Sequence, residues 1–173
     1  TIGTAPVRGC IGCGACRKSQ NNQCAFDDDI TNAYIKKMME ADGILLASPT
    51  HYAGITGSMK SFLDRAFYVS GSNGNLFRHK VGACLTAVRR SGGMTALDQL
   101  YKYLFYSEML IASSNYWNVI HGRVPGEVHE DAEGVQIMRV LAKNMAWLLK
   151  LKESGKYIEA PSKEPKEMTS FIR

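Results

Sequence analysis

Short apolar runs set between longer amphipathic segments constrain this chain more than any other feature. Residues 44–47, 81–88 and 109–112 are far too short to cross a bilayer. Their near-continuous apolarity marks strands buried on both faces, as in a parallel sheet. Helical periodicity fills the intervals, with helices expected over 27–39, 58–69, 95–106 and 132–151. Asp27, Asp28 and Asp29 are expected to cap the first of these, since acidic residues suit a helix N-terminus. The last strand is expected to extend through 117–119, and 70–75 and 121–131 read as exposed loops. Strand and helix therefore alternate, and Gly, Ser and Pro gather at the carboxyl ends of strands. That order predicts an α/β fold, a three-layer doubly wound parallel sheet, as one domain over 1–173. Residues 5–26 form a Gly-, Cys- and Asn-containing loop and 154–173 an extended polar tail.

A sheet of this class is built outward from a central first strand. Residues 1–4 look like the tail of a second strand, so the first βα unit is expected to lie upstream of Thr1. Without it, the neighbouring strand would expose an unpaired edge.

Composition narrows the functional classes. The net charge of +5 is dispersed, and no basic face interleaves with aromatic residues, so nucleic-acid binding is not expected. No run is long enough for a membrane anchor, and no secretory leader is visible. Four of the five cysteines, Cys10, Cys13, Cys16 and Cys24, crowd into fifteen residues, which points to metal or redox work in a reducing, cytoplasmic compartment. Their spacing permits three readings: a [4Fe–4S] cluster, a structural zinc, or free redox thiols. Cys84, alone in a strand, reads as core.

Ligands of doubly wound sheets sit beyond the carboxyl ends of the strands. Two loops occupy such positions: Ser48, Pro49, Thr50, His51, Tyr52, Ala53, Gly54 and Ile55 after one strand, and Arg89, Arg90, Ser91, Gly92 and Gly93 after the next. Glycines and helix N-terminal amides there suit an electron-rich acceptor such as the edge of a reduced flavin, although a plain βα turn also needs glycine. His51 either tunes a bound ring or faces solvent. Tyr116 and Trp117 either flank a ligand or pack in the core, the commoner fate of aromatic residues. His121 and His129 lie in a polar loop without metal-ligand partners, and no nucleophile elbow, P-loop or Ser/His/Asp order is present.

The segments Ser48-Pro49-Thr50-His51-Tyr52, Gly57-Ser58-Met59-Lys60 and Phe62-Leu63-Asp64-Arg65 resemble the S-P-x-x-Y…G-x-M-K-x-F-x-D-R signature of NAD(P)H-dependent FMN reductases. Cys10-Ile11-Gly12-Cys13-Gly14-Ala15-Cys16 with Cys24 is similar to the compact motif of iron–sulfur flavoproteins, as are Ala41-Asp42-Gly43 and Asp131-Ala132-Glu133-Gly134. The resemblance covers nearly the whole chain. It implies a flavodoxin-like fold with FMN held by the two loops and NAD(P)H as electron donor. It also implies an electron acceptor of unspecified kind, a [4Fe–4S] cluster on the four cysteines, and a homodimer or homotetramer. Lys60, Asp64 and Arg65 are expected to lock their helix rather than touch flavin. In the family the FMN phosphate sits in a loop after the central first strand, and no such loop precedes Cys10. A non-enzymatic electron carrier or redox sensor is the alternative to a flavin oxidoreductase.

Overall fold

The computed structural model describes residues 1–169 and Phe171. In chain order the elements are α1 (Ala15–Ser19), α2 (Thr31–Glu40), β1 (Gly43–His51), β2 (Gly54–Ile55), α3 (Gly57–Ser72), β3 (Val81–Val88), α4 (Gly93–Tyr106), β4 (Leu110–Ile111), β5 (Val119–His121) and α5 (Ala132–Ser154). A 3₁₀ turn, Glu127–His129, interrupts the loop before α5.

The two long strands form the parallel centre. β1 and β3 pair from Gly43↔Val81 to Pro49↔Ala87. On the far side of β3, β4 pairs with Val81 and Gly82, and β5 with Thr86, Ala87 and Val88, both parallel. Side-chain alternation along the strands sends Ile44, Leu46 and Cys84 to one face, against Phe62, Leu63 and Ala66 of α3 and Leu97, Leu100 and Leu104 of α4. Val81 and Ala83 face the other way, against Leu141 with Met145 and Leu149 of α5. Helices thus cover both faces of the sheet, giving the flavodoxin-like layering expected from the alternation.

The outer edge of β1 has only a two-residue neighbour. β2 pairs with it antiparallel at Thr50↔Ile55 and His51↔Gly54, and no other strand among the described residues pairs with that edge. The α5-side face of β1 is also bare, with Leu45 49% exposed. An apolar groove of about 690 Å³ runs along this edge, bounded by Ile2, Met38, Leu45, Ser48, Met59 and Phe62.

Several local expectations change. Residues 1–4 form no strand, and a helical turn, α1, interrupts the expected 5–26 loop. α2 starts at Thr31 rather than at the aspartates. Asp28 pairs with Arg8 at the surface, 3.3 Å away, and the Asp29 carboxylate is claimed by the buried Arg65 as well as by the Thr31 N–H at 2.9 Å. α3 runs through Ser72, because the fully buried Ser70 Oγ accepts the Phe77 N–H at 3.3 Å and fastens the turn beneath the helix. The strand after α4 does not run on through Trp117. Ser114 Oγ donates to the Ile137 carbonyl at 2.7 Å and Asn144 to the Ser113 carbonyl at 2.8 Å, so α5 pulls the chain out of the sheet between β4 and β5. The described residues from 159 onward form no helix or strand, and Arg78 donates to the carbonyls of Pro161 and Ser162. No helix among the described residues is long and apolar enough to cross a membrane.

Candidate functional site

The first candidate loop is a tight hairpin rather than an open connection. β1 continues to His51 and turns back through Tyr52 and Ala53, with φ of 49° and 57°. Two successive left-handed residues make the turn that suits the twist of a hairpin, but Tyr and Ala adopt it at a steric cost that Gly or Asn avoids. Strain of this kind survives only where surroundings enforce it, and three contacts do so. The Thr56 N–H donates to Ser48 Oγ at 3.1 Å, and that hydroxyl donates to the Pro49 carbonyl at 2.8 Å. Gln99 on α4 accepts the Ile55 N–H at 3.1 Å. The third contact is Gly92 of the second loop. It has φ of +86°, and a Cβ built on it would stand 2.8 Å from Ala53 Cα.

Gly92 is where the two loops meet. It also caps α4, as Thr56 caps α3 by accepting the Met59 N–H at 3.2 Å. Both helices therefore begin beside the carboxyl ends of adjacent parallel strands, where free amides favour electron-rich groups. The loops touch each other but line different clefts. Ser48 and Pro49 border the upper end of the 690 Å³ groove, whereas Arg90, Ser91, Gly92 and Gly93 border a cleft of about 250 Å³ that also holds Met94, Tyr116 and Trp117.

Within these loops Ser48 is buried and serves as a brace. The Thr50 hydroxyl oxygen is buried without a hydrogen-bond partner among the described residues. His51, Tyr52, Ala53, Arg89, Arg90 and Ser91 are exposed, and Gly54 and Ile55 form the return strand. The orphaned Thr50 hydroxyl in the first loop and the exposed Arg89 and Arg90 in the second suit a polar, anionic cofactor such as FMN at the strand ends.

The four clustered cysteines converge on one small cavity of about 20 Å³, together with Phe26, Arg65, Tyr68 and Val69. Cys16 is buried on α1, Cys24 is half-buried, and Cys10 and Cys13 are exposed; all are free thiols. Gly12 and Gly14 both take positive φ, 66° and 69°, which curls the loop around the cavity. Among the described residues no three His, Cys, Asp or Glu side chains stand close enough to hold a metal ion. The donor set, all sulfur with neither carboxylate nor imidazole, is that of an iron–sulfur centre. The residues present fit such a group by the chemistry of their donor atoms.

Arg65 is the feature here that sequence reasoning missed. Its side chain is fully buried on α3. Nε donates to Cys24 Sγ at 3.3 Å, Nη2 to the Phe26 carbonyl at 2.6 Å, and Nη1 to the Arg8 carbonyl at 3.3 Å as well as pairing with Asp29. Burial alone would raise the Asp29 pKa, but hydrogen bonds from Thr31, Arg65 and Arg8 outweigh it and hold the carboxyl below its usual value. The signal was the D-R pair itself, because an arginine one residue along a helix from an aspartate points elsewhere. Asp64 instead pairs with Lys60 at 2.6 Å and accepts from Tyr103 at 2.6 Å.

Cys84 is core, and burial pushes its thiol pKa up. Tyr116 and Trp117 are 61% and 59% exposed, against the expectation of core packing, because the excursion after β4 lifts them off the sheet. His121 sits 3.4 Å from Asp131, whose carboxylate also accepts the His121 N–H at 2.7 Å and the Gly134 N–H at 2.9 Å.

A family model described as NADPH-dependent FMN reductase matches residues 6–123. An iron–sulfur flavoprotein of Methanocaldococcus jannaschii is 32% identical over 149 residues, covering 82% of this chain and 75% of its own length. A second iron–sulfur flavoprotein, from Methanosarcina thermophila, is 29% identical over 152 residues, with 87% and 76% covered. Among solved structures, a flavoenzyme NAD(P)H:(acceptor) oxidoreductase of Paracoccus denitrificans superposes with a TM-score of 0.54 at 16% identity, covering 76% of this chain and 78% of that one; the likeness is one of fold.

Proposed function

Because this chain belongs to the NADPH-dependent FMN reductase family and is an FMN-dependent oxidoreductase, we propose that it draws electrons from NAD(P)H and passes them, through a [4Fe–4S] centre on Cys10, Cys13, Cys16 and Cys24, to an acceptor molecule. FMN would supply hydride acceptance and single-electron release, and the cluster would supply one-electron transfer. The chain contributes position. Loop Ser48–Ile55 and loop Arg89–Gly93 would hold the flavin, the Gly92–Ala53 contact fixes the approach of the two loops, and the positive ends of α3 and α4 would favour an electron-rich group there.

The observation that carries this reading is that contact: two βα loops at the carboxyl ends of adjacent parallel strands, packed backbone on backbone. A further βα unit lying along the open β1 edge belongs to the same proposal, supported by the bare Leu45 face and the apolar groove, and would bring the phosphate contacts. Homo-oligomerisation and a cytoplasmic location belong to it too, the first supported by exposed Phe105, Tyr116 and Trp117 along one groove.

The test is an absorption spectrum of protein purified without air, followed by steady-state oxidation of NADH and NADPH with a quinone, ferric iron or free flavin as acceptor. Flavin bands with turnover support the enzyme. Flavin bands without turnover point to a carrier or sensor, and a colourless protein refutes the cofactor assignment.

A further inference from the structure

A buried guanidinium needs a reason, because removing its charge from water costs several kcal/mol. Arg65 is the one cation among the described residues that are buried. Asp29 neutralises it, and the carbonyls of Phe26 and Arg8 take two further N–H groups. These partners would suffice to brace the loop onto α3. The Nε–H points at Cys24 Sγ, 3.3 Å away. A neutral thiol is a poor acceptor and gains little from such a donor. An anionic sulfur makes a charge-assisted hydrogen bond with it. Donors to ligand sulfurs withdraw electron density from a bound metal centre and set its reduction potential.

We propose that Arg65 is a positioning residue for the sulfur centre. It holds Cys24 at the mouth of the cysteine loop and, through its Nε–H, makes the centre easier to reduce. This rests on the reading that the four cysteines ligate a [4Fe–4S] cluster. The placement explains why the arginine is sealed inside while its neighbour Asp64 faces Lys60 and Tyr103. It also explains why two separate stretches of chain, at Arg8 and at 24–29, close on one side chain. Electrons arriving at the centre would meet an acceptor tuned by a fixed, water-excluded donor, which needs no reorganisation as charge arrives.

The experiment is anaerobic reconstitution of the chain with iron and sulfide, then an EPR-monitored redox titration of wild type, Arg65→Lys and Asp64→Asn, with FMN content as the folding control. Lysine keeps a cation near Asp29 but lacks the Nε–H at the sulfur. The expected result is about four irons per chain in the wild type and a more negative midpoint potential in Arg65→Lys. Asp64→Asn, one residue along α3, should leave the potential in place. An Arg65→Lys potential equal to that of the wild type overturns the inference while leaving the cluster assignment intact. Should Arg65→Lys bind FMN but no iron, the neutral pair Asp29→Asn/Arg65→Gln is titrated instead, and an unchanged potential or a second failure to load refutes the tuning role. A wild type that takes up no iron defeats both readings at once.

Discussion

Replacing Gly92 with alanine tests the packing of the two loops directly. Two costs add. At φ of +86° an L-residue loses roughly 1–2 kcal/mol against glycine. The new methyl would also stand 2.8 Å from Ala53 Cα and 2.9 Å from its Cβ, and overpacking of this kind costs about 1–3 kcal/mol. Gly74→Ala supplies the control, because Gly74 has φ of +89° but nothing within 4 Å of the added carbon. It should show the conformational cost alone, reduced by roughly 0.4–1 kcal/mol through restriction of the unfolded chain. The difference between the two variants therefore isolates the contact, at about 1–3 kcal/mol. With a urea slope near 2 kcal/mol/M, it appears as a midpoint roughly 0.5–1.5 M lower in Gly92→Ala than in Gly74→Ala. Because Ala53 must give way, FMN should also bind about tenfold more weakly in Gly92→Ala, equivalent to ~1.4 kcal/mol. Equal urea midpoints would show that the hairpin yields freely and that Gly92 does not fix the loops. Equal midpoints with equal FMN affinities would remove the second loop from the site.

Acid should loosen the fold at two named carboxylates. Asp131 is held below the ordinary value of 3.8 by the Gly134 and His121 N–H groups, and Asp29 by the donors that outweigh its burial. A depressed folded pKa means stability that is complete above about pH 4 and is lost as pH falls through the folded value. Asp131→Asn keeps a capping oxygen but cannot ionise, so its urea midpoint should fall less steeply below pH 4 than that of the wild type; parallel slopes would contradict the assignment. The β1 edge makes a separate prediction for hydrogen exchange. Amides of 44–47 that point away from β3 should exchange quickly in the 173-residue chain and become protected in a longer chain that carries a further strand; slow exchange in the 173-residue chain would mean that the edge is already covered.

Much of the architecture was legible because burial periodicity is a local property. The runs at 44–47 and 81–88 are the central strands, and α3, α4 and α5 begin within two residues of their expected starts. Capping chemistry explains that agreement at α3 and α5, where Thr56 and Asp131 each accept an N–H three residues on. At Asp27–Asp29 the agreement is partial: one Asp29 carboxylate oxygen accepts the Thr31 N–H that opens α2, while the other pairs with a buried guanidinium 36 residues away, which no local capping pattern records.

The candidate site divides along the same line. The glycine-containing loops at the strand ends and the spacing of the four cysteines were legible in the primary structure, because each lies within a short stretch of chain. The strained hairpin at Tyr52 and Ala53, the touching of the loops at Gly92, and the hold of Arg65 on Cys24, 41 residues away, came into view with the folded chain. Those features arise from close approach between segments far apart in the chain. Steric exclusion at 2.8 Å and the need to neutralise a buried charge act on whichever groups the fold brings together, and no local periodicity records them.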